Sequence, residues 1–297
     1  MEQEIKRPLK RHMNMSSKNA ITNFFVYFLL VIISLIWILP FILLLLESFK
    51  TETTMQVGYI IPKEWGFDNY RLLFTKVNSN INFKRWLLNT FVIAVFSAII
   101  QTFITLCMSY TLSRLRFRGR KLLMNFMLVL GMFPGFLTMI LLYKVLSWAG
   151  LTENNSMWGL ILVYTASSGM GYYISKGYFD TIPRSLDEAA RVDGANRAQV
   201  LFKIILPLAK PIVIYSVLTG FMAPWGDFMF AKYIAHSNVD GYNVAVGLQN
   251  LMSKLLKDEF YTLFCAGGVV VAIPITILFM LLQRYYVEGV TGGAVKG

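Results

Sequence analysis

SLDEAARVDGANRAQVLFKIILPLAKP, residues 185–211, is a polar, helix-forming insert set between two strongly apolar segments. Ser185 and Glu188 have the spacing of a capping box: the hydroxyl can accept from the residue-188 amide while the carboxylate reaches back to the residue-185 amide. A short helix is therefore expected to start at Ser185. Leu186, Ala189, Ala190 and Val192 give it a small apolar stripe, and Gly194 stands where a left-handed C-terminal cap lets the chain reverse. Asn196 and Gln199 repeat the start signal. The second helix carries Val200, Leu201, Ile204 and Ile205, and Pro207 and Pro211 bend or break it before the next apolar segment. The expectation is a helix-turn-helix at a membrane surface, either a docking element for another protein or an amphipathic loop resting on lipid headgroups.

The flanks of this insert set the class. The chain has 297 residues, of which 56% are hydrophobic and 15% charged, with a mean hydropathy of +0.55. That is the composition of an integral membrane protein. Six apolar stretches are long enough to cross a bilayer, at about 21–46, 86–113, 122–146, 157–178, 209–234 and 260–283. The fold class expected is an all-α polytopic membrane protein with six transmembrane helices. Residues 1–20 form a basic arm, 21–283 one transmembrane unit that includes the loop 179–211, and 284–297 a tail.

The net charge of +12 invites a nucleic-acid reading, so its placement matters. Lys6 to Lys18 holds five Lys and Arg, Arg114 to Lys121 five, and Lys176 to Lys210 six; with Arg284 and Lys296 these are 18 of the 28. All fall on one side of the expected topology, which puts both termini in the cytoplasm by the positive-inside rule. The basic excess is a topology signal, and no nucleic-acid partner is expected. Residues 1–20 lack an apolar signal-peptide core and the span that follows is too long for one, so an uncleaved anchor is expected. Cys107 and Cys265 lie inside spans, where a thiol packs as a small hydrophobe. The connection 49–85 reads as a small folded external cap. Val244 to Met252, in the fifth-to-sixth connection, reads as a short amphipathic helix lying flat on the outer surface.

Chemistry-bearing residues are few. The fourth span is centred on Thr165, Ser167, Ser168, Gly169, Gly171, Tyr172 and Tyr173, which suits either close helix packing or a lining that tolerates sugars. Pro224-Trp225-Gly226-Asp227 sets an acid inside the fifth span, where it either serves a pathway or gate or pairs with Lys232 or Lys144. Met132-Phe133-Pro134-Gly135 kinks the third. There is no G-x-x-x-x-G-K-[ST] phosphate loop. His12 and His236 lie far apart, and neither a catalytic nor a metal cluster is expected. Motive force must come from another subunit or a gradient.

Glu188-Ala189-Ala190, Asp193-Gly194-Ala195 and Ile205-Leu206-Pro207 together closely resemble the EAA loop of binding-protein-dependent ABC importers. Residues 283–297, QRYYVEGVTGGAVKG, resemble the tail of MalG-like permeases of maltose-type carbohydrate importers, as do Ser175 to Phe179 and Val244 to Gln249. The resemblance implies a type I ABC importer permease fold in the cell membrane, without enzymatic activity. It implies a longer MalF-like second permease, two copies of a cytoplasmic ATPase that holds ATP and Mg, an extracytoplasmic sugar-binding protein, an oligosaccharide substrate and surrounding lipid. Under it Glu188, Ala189, Ala190, Asp193, Gly194, Leu206 and Pro207 transmit ATPase closure. Gly292, Gly293, Lys296 and Gly297 reach between the ATPase subunits. Asn250, Ser253 and Asp258 face the binding protein, and Ser168, Tyr172, Trp225 and Asp227 line or shape the cavity. The rival readings are a gradient-driven secondary transporter or channel, and a membrane enzyme or scaffold subunit.

Overall fold

The computed structural model describes residues 15–52, 58–77, 81–166, 169–253 and 257–294, and their side chains except those of 15–21, 169, 257–259 and 284–294. In chain order its helices are α1 (Met15–Ser48), α2 (Asp68–Thr75), α3 (Phe83–Arg114), α4 (Arg120–Gly131), α5 (Gly135–Trp148), α6 (Ser156–Ala166) and α7 (Gly169–Thr181). There follow α8 (Arg184–Val192), α9 (Arg197–Gln199), α10 (Leu206–Leu208), α11 (Lys210–Gly226), α12 (Met229–Ala235), α13 (Val244–Leu251) and α14 (Lys257–Ala294). Lys50 and Trp65 form an isolated antiparallel β bridge.

Among the described residues three helices are long and apolar enough to cross a bilayer alone, at Thr22–Ser48, Phe83–Arg114 and Phe260–Gln283. These match the first, second and sixth expected spans. The third and fifth are interrupted, each for a local reason. In the third, Pro134 lacks an amide to donate and sits extended at ψ 126°, so α4 and α5 meet at 101°. Of the fourth, α6 and α7 are described on either side of residues 167–168. In the fifth, α11 stops at Gly226, Asp227 turns extended at ψ 108°, and α12 restarts the chain.

α3 is the hub. It packs against α11, α7, α6 and α13. Its buried face alternates small residues with a few large ones: Ala94, Ser97, Ala98, Thr102, Thr105, Leu106 and Ser109. Short side chains let backbones approach where lipid supplies no hydrophobic drive for helix association. Gly220 of α11 is a point of close backbone approach, since a Cβ there would stand 3.0 Å from the Ala98 Cα. By contrast α1 packs mainly on α14, and α4 has no buried residue at all. Their apolar outer surfaces meet lipid or another apolar helix in a membrane.

Two apolar cores lie at opposite ends of this hub. One joins Leu106, Tyr110, Phe179, Ala190, Val200, Leu201, Ile205 and Ala209, and so contains the inner face of the 179–211 loop. The other surrounds α13 and holds Trp86, Phe83, Trp225, Val244, Val246, Leu248 and Leu251. The expectation of a helix lying flat on the outer surface is corrected here. α13 forms, but it is driven into the fold, because Val244, Val246, Gly247, Leu248 and Leu251 are all buried. Apolar residues occupy most of its circumference, and its start is held by Asn243, which accepts from Val246 N at 2.9 Å. The small cap expected over 49–85 is built around Lys50, which is 1% exposed, donates to Glu47 at 2.6 Å and to the Tyr59 carbonyl at 2.7 Å, and so satisfies its buried charge.

Candidate functional site

Pro183 rather than Ser185 starts the first helix of the 179–211 loop. It is the N-cap, extended at φ −57° and ψ 132°, so α8 begins at Arg184, and no side chain caps it. Ser185 is the second helical residue, so the expected capping box does not form. At the other end Gly194 has φ +84°, its amide donates to the Arg191 carbonyl at 3.1 Å, and the Ala195 amide donates to the Ala190 carbonyl at 2.9 Å. These two bonds make a complete Schellman motif, with the side chains of Ala190 and Ala195 meeting the same core. The second start signal forms as expected: Gln199 N donates to Asn196 Oδ1 at 2.9 Å and Asn196 N to Gln199 Oε1 at 2.8 Å. Asn196→Ala should therefore lower stability by about 1 kcal/mol, and Ser185→Ala by less than about 0.5 kcal/mol. Thermal unfolding of the purified variants in detergent checks both.

Past α9 the chain widens into a π turn over Val200–Ile205. Pro207 explains it, since its ring would collide with the Lys203 carbonyl and it has no amide to give. Ala209 then breaks the run, and Pro211 stands in the first turn of α11, which leaves at 88° to the preceding segment. The loop thus has a fixed inner face and a free outer one. Ala190, Val200, Leu201 and Ile205 are buried against Leu106 and Tyr110 of α3. Glu188, Ala189, Asp193, Gly194 and Pro207 are exposed, Leu206 is half-buried, and the apolar side chains of Leu186 and Val192 stand out at 41% and 87% exposure.

Where the loop meets the end of α3, charge is partly buried. Arg114 Nε lies 2.8 Å from Asp187 Oδ2, with the two side chains 4% and 13% exposed. Burial pushes the Asp187 carboxyl up from its ordinary range, opposed by the Arg114 and Arg184 guanidiniums. Beside the pair a cavity of about 570 Å³ is lined by five arginines (Arg114, Arg116, Arg184, Arg191 and Arg197) and by Asp187 and Glu188, so the recess is cationic.

Residues 104–292, well over half of the chain, match the model of the family described as binding-protein-dependent transport system inner membrane component. The chain belongs to that family. The permease is 35% identical over 285 residues to the galactooligosaccharides transport system permease protein GanQ of Bacillus subtilis, a match covering 96% of this chain and 99% of that one. It is 32% identical over 286 residues to the maltodextrin transport system permease protein MdxG of the same organism, at 96% and 100% coverage. Its fold superimposes with a TM-score of 0.74 on a chain in the crystal structure of a bacterial ABC transporter involved in the import of the acidic polysaccharide alginate. That match covers 93% of the permease and all of the other chain, at 23% identity, and shows the type I importer permease fold.

The remaining expected site residues fall in three places. Tyr172 is buried on α7, and its carbonyl accepts from Ser109 Oγ at 3.0 Å; Trp225 is 4% exposed, its ring centroid 5.7 Å from that of Phe221. Among the described residues Asp227 pairs with neither Lys232 nor Lys144. Tyr164 donates to its Oδ2 at 2.5 Å and Phe230 N to its Oδ1 at 3.1 Å, so the acid starts α12 and ties it to α6. Lys232 instead donates to the Tyr242 hydroxyl and sits 4.2 Å from the centre of that ring. Asn250 and Ser253 are half-buried at and just beyond the end of α13. Gly292 and Gly293 fall within the bounds of α14. Ser168, Lys296, Gly297 and the side chain of Asp258 lie outside the described residues.

Sequence reasoning missed Tyr164, Asn243 and Arg114. Asn243 donates to the Pro224 and Asp227 carbonyls at 3.0 and 2.7 Å, answering groups freed where α11 ends. Its signal was present, as an amide next to an apolar run and 16 residues past a Pro-Trp-Gly-Asp break.

Proposed function

We propose that the permease forms half of the translocation pathway of an ATP-driven importer of oligosaccharides, and that its 179–211 loop is the element through which a separate cytoplasmic ATPase acts on it. The carrying observation is the loop's two-sidedness. One face is cemented to α3 by apolar packing, while the other presents Glu188, Ala189, Val192 and Leu186 to a partner. A loop built to rest on lipid would turn its apolar residues and its arginines together toward the headgroups, whereas here much of the apolar surface faces inward and Gly194 fixes the angle between two rigid limbs. Glu188, Ala189, Ala190, Asp193, Gly194, Leu206 and Pro207 then act as one body.

The remaining parts follow from the family reading. ATP and Mg reside on two ATPase copies, a longer second permease supplies the other half of the pathway, and an extracytoplasmic binding protein delivers the sugar. Both termini are cytoplasmic, which places the loop and the Arg114 end of α3 on the ATPase side. The family's galactooligosaccharide and maltodextrin permeases support short glucans and galactans as cargo. The tail from Gly292 to Gly297 reaches the ATPases. Asn250, Ser253 and Asp258, at the other end, face the binding protein, and Ser168, Tyr172, Trp225 and Asp227 shape the cavity wall. The mechanism is alternating access: ATPase closure moves the loops as near-rigid levers and opens the cavity outward.

The test is ATP hydrolysis in proteoliposomes that hold the permease together with its second permease, ATPase and binding protein. Maltodextrins and galactooligosaccharides are the probes. Stimulation that needs both the binding protein and one class of sugar is expected. Sugar flux that persists without ATP would replace this reading with a gradient-driven transporter.

A further inference from the structure

Apolar packing holds the 179–211 loop against α3 without fixing its register, because hydrophobic contact has no direction. Register is set by polar ties, and those described here converge on the last two residues of α3. Ser113 Oγ donates to Asp180 Oδ1 at 2.6 Å, and the same carboxylate receives Lys176. Arg114 Nη2 donates to the Ile182 carbonyl at 2.9 Å, and Arg184 Nη2 to the Ser113 carbonyl at 3.3 Å. Each of these grips the chain as it enters the loop. Only one reaches into α8 itself with a charged side chain at both ends: Arg114 to Asp187, one residue before Glu188-Ala189-Ala190.

The pair differs from an ordinary surface bridge in two respects. Its arginine is 4% exposed, so neither partner can part from the other without leaving a charge poorly solvated. Its geometry is also incomplete, since Asp187 Oδ1 is buried with no donor among the described residues and Arg114 Nε is misaligned for a hydrogen bond despite its proximity. A guanidinium and a carboxylate that meet through one edge have room to close into the two-bonded fork, which is their stronger arrangement. The contact can therefore tighten under a small rotation of α8 but cannot slide.

We propose that Asp187 and Arg114 are positioning residues forming a latch that makes α3, the hub of the fold, the helix which α8 drives. This deepens the coupling reading and rests on it. Movement of the loop reaches α11 along the chain through Ala209 and Pro211, a route any such loop has. The latch adds a second, direct route into the helix that packs against α11, α7, α6 and α13. Pull on both routes turns a displacement of α8 into a movement of the whole hub.

The experiment uses the complete reconstituted transporter with maltodextrin- and galactooligosaccharide-loaded binding protein. In Asp187→Asn the ATPase should co-purify at the wild-type ratio and the binding-protein concentration for half-maximal stimulation should stay unchanged. Maximal stimulated hydrolysis and uptake should each fall by about ten-fold. A role in mere folding would lower the amount of complex and leave the surviving molecules normal. The exchange variant R114D/D187R should recover at least about three-fold over Asp187→Asn, since opposite charges again face one another. Should Asp187→Asn fail to accumulate, Arg114→Lys is read instead. It keeps the charge but loses the planar fork, and about a three-fold loss of stimulation with normal ATPase recovery supports the latch. Wild-type stimulation and uptake in whichever of these two variants is read overturns it. Val192→Asp, on the exposed face of α8, separates this from the reading beneath: it should strip the ATPase from the complex. Loss of the ATPase there with normal Asp187→Asn removes the latch alone, whereas an intact, transporting Val192→Asp complex removes the coupling loop itself.

Discussion

Gly247→Ala is expected to prevent accumulation of the folded permease, although the change adds one methyl group. A Cβ at residue 247 would stand 2.0 Å from Trp86 Cε3 and 2.2 Å from Cδ2, far inside any tolerable contact. The ring cannot swing aside. Trp86 is fully buried and its Nε1 donates to the Val239 carbonyl at 2.8 Å. α13 cannot retreat either, because Asn243 holds its start to Pro224 and Asp227, and Val244 N donates to Thr90 Oγ1 at 2.7 Å. Over-packing of a core costs about 1–3 kcal/mol when neighbours can move, and more when they are pinned on every side. A loss at or above about 3 kcal/mol is a large share of the stability of a typical domain. Fluorescence-detected size exclusion from membranes should show aggregate in place of the monodisperse peak. Trp86→Leu combined with Gly247→Ala should restore part of it, whereas equal damage in the single and double variants would mean that the ring is not what the methyl meets.

That result also marks where reading the sequence succeeded and where it fell short. Composition and apolar runs reveal a polytopic helical protein because a bilayer accepts little else. The loop was legible down to the Asn196 and Gln199 box and the Gly194 reversal, since caps and left-handed turns are local and residue-specific. Ser185 misled because two start signals overlap, and Pro183, two residues earlier, won as the N-cap. The break at Pro134 showed in the sequence as a kink and that at Asp227 as an acid beside Pro224, neither as the end of a helix, because whether a bent span stays whole depends on what answers its freed backbone groups. Asn243 does so for the Pro224 and Asp227 carbonyls, from 19 and 16 residues away. α13 read as a surface helix for the same reason: Val244-Ala245-Val246-Gly247-Leu248 has the composition of either place, and only Trp86 opposite Gly247 decides it.

Gly194→Val should abolish transport while leaving the protein in the membrane in normal amount. The residue has φ +84° with nothing within 4 Å of where a Cβ would stand, so the obstacle is the backbone angle and not space. A side chain in the left-handed region costs about 1–2 kcal/mol, with a β-branched one at the unfavourable end. The permease as a whole tolerates that, since its apolar cores and spans lie elsewhere. The loop does not, because relaxing φ breaks both Schellman bonds, from Gly194 N to Arg191 O and from Ala195 N to Ala190 O, and swings α8 away from α9. A lever whose two limbs no longer keep their angle passes on little of the push it receives. Gly194→Asn is the matched control, because asparagine visits the left-handed region readily, and it should keep most of the uptake. Uptake and sugar-stimulated ATP hydrolysis in proteoliposomes, normalised to protein in the membrane, measure both. Full uptake by the valine variant would show that the angle at Gly194 carries no force, and the outer face of α8 would then have to work as a tether and not as a lever.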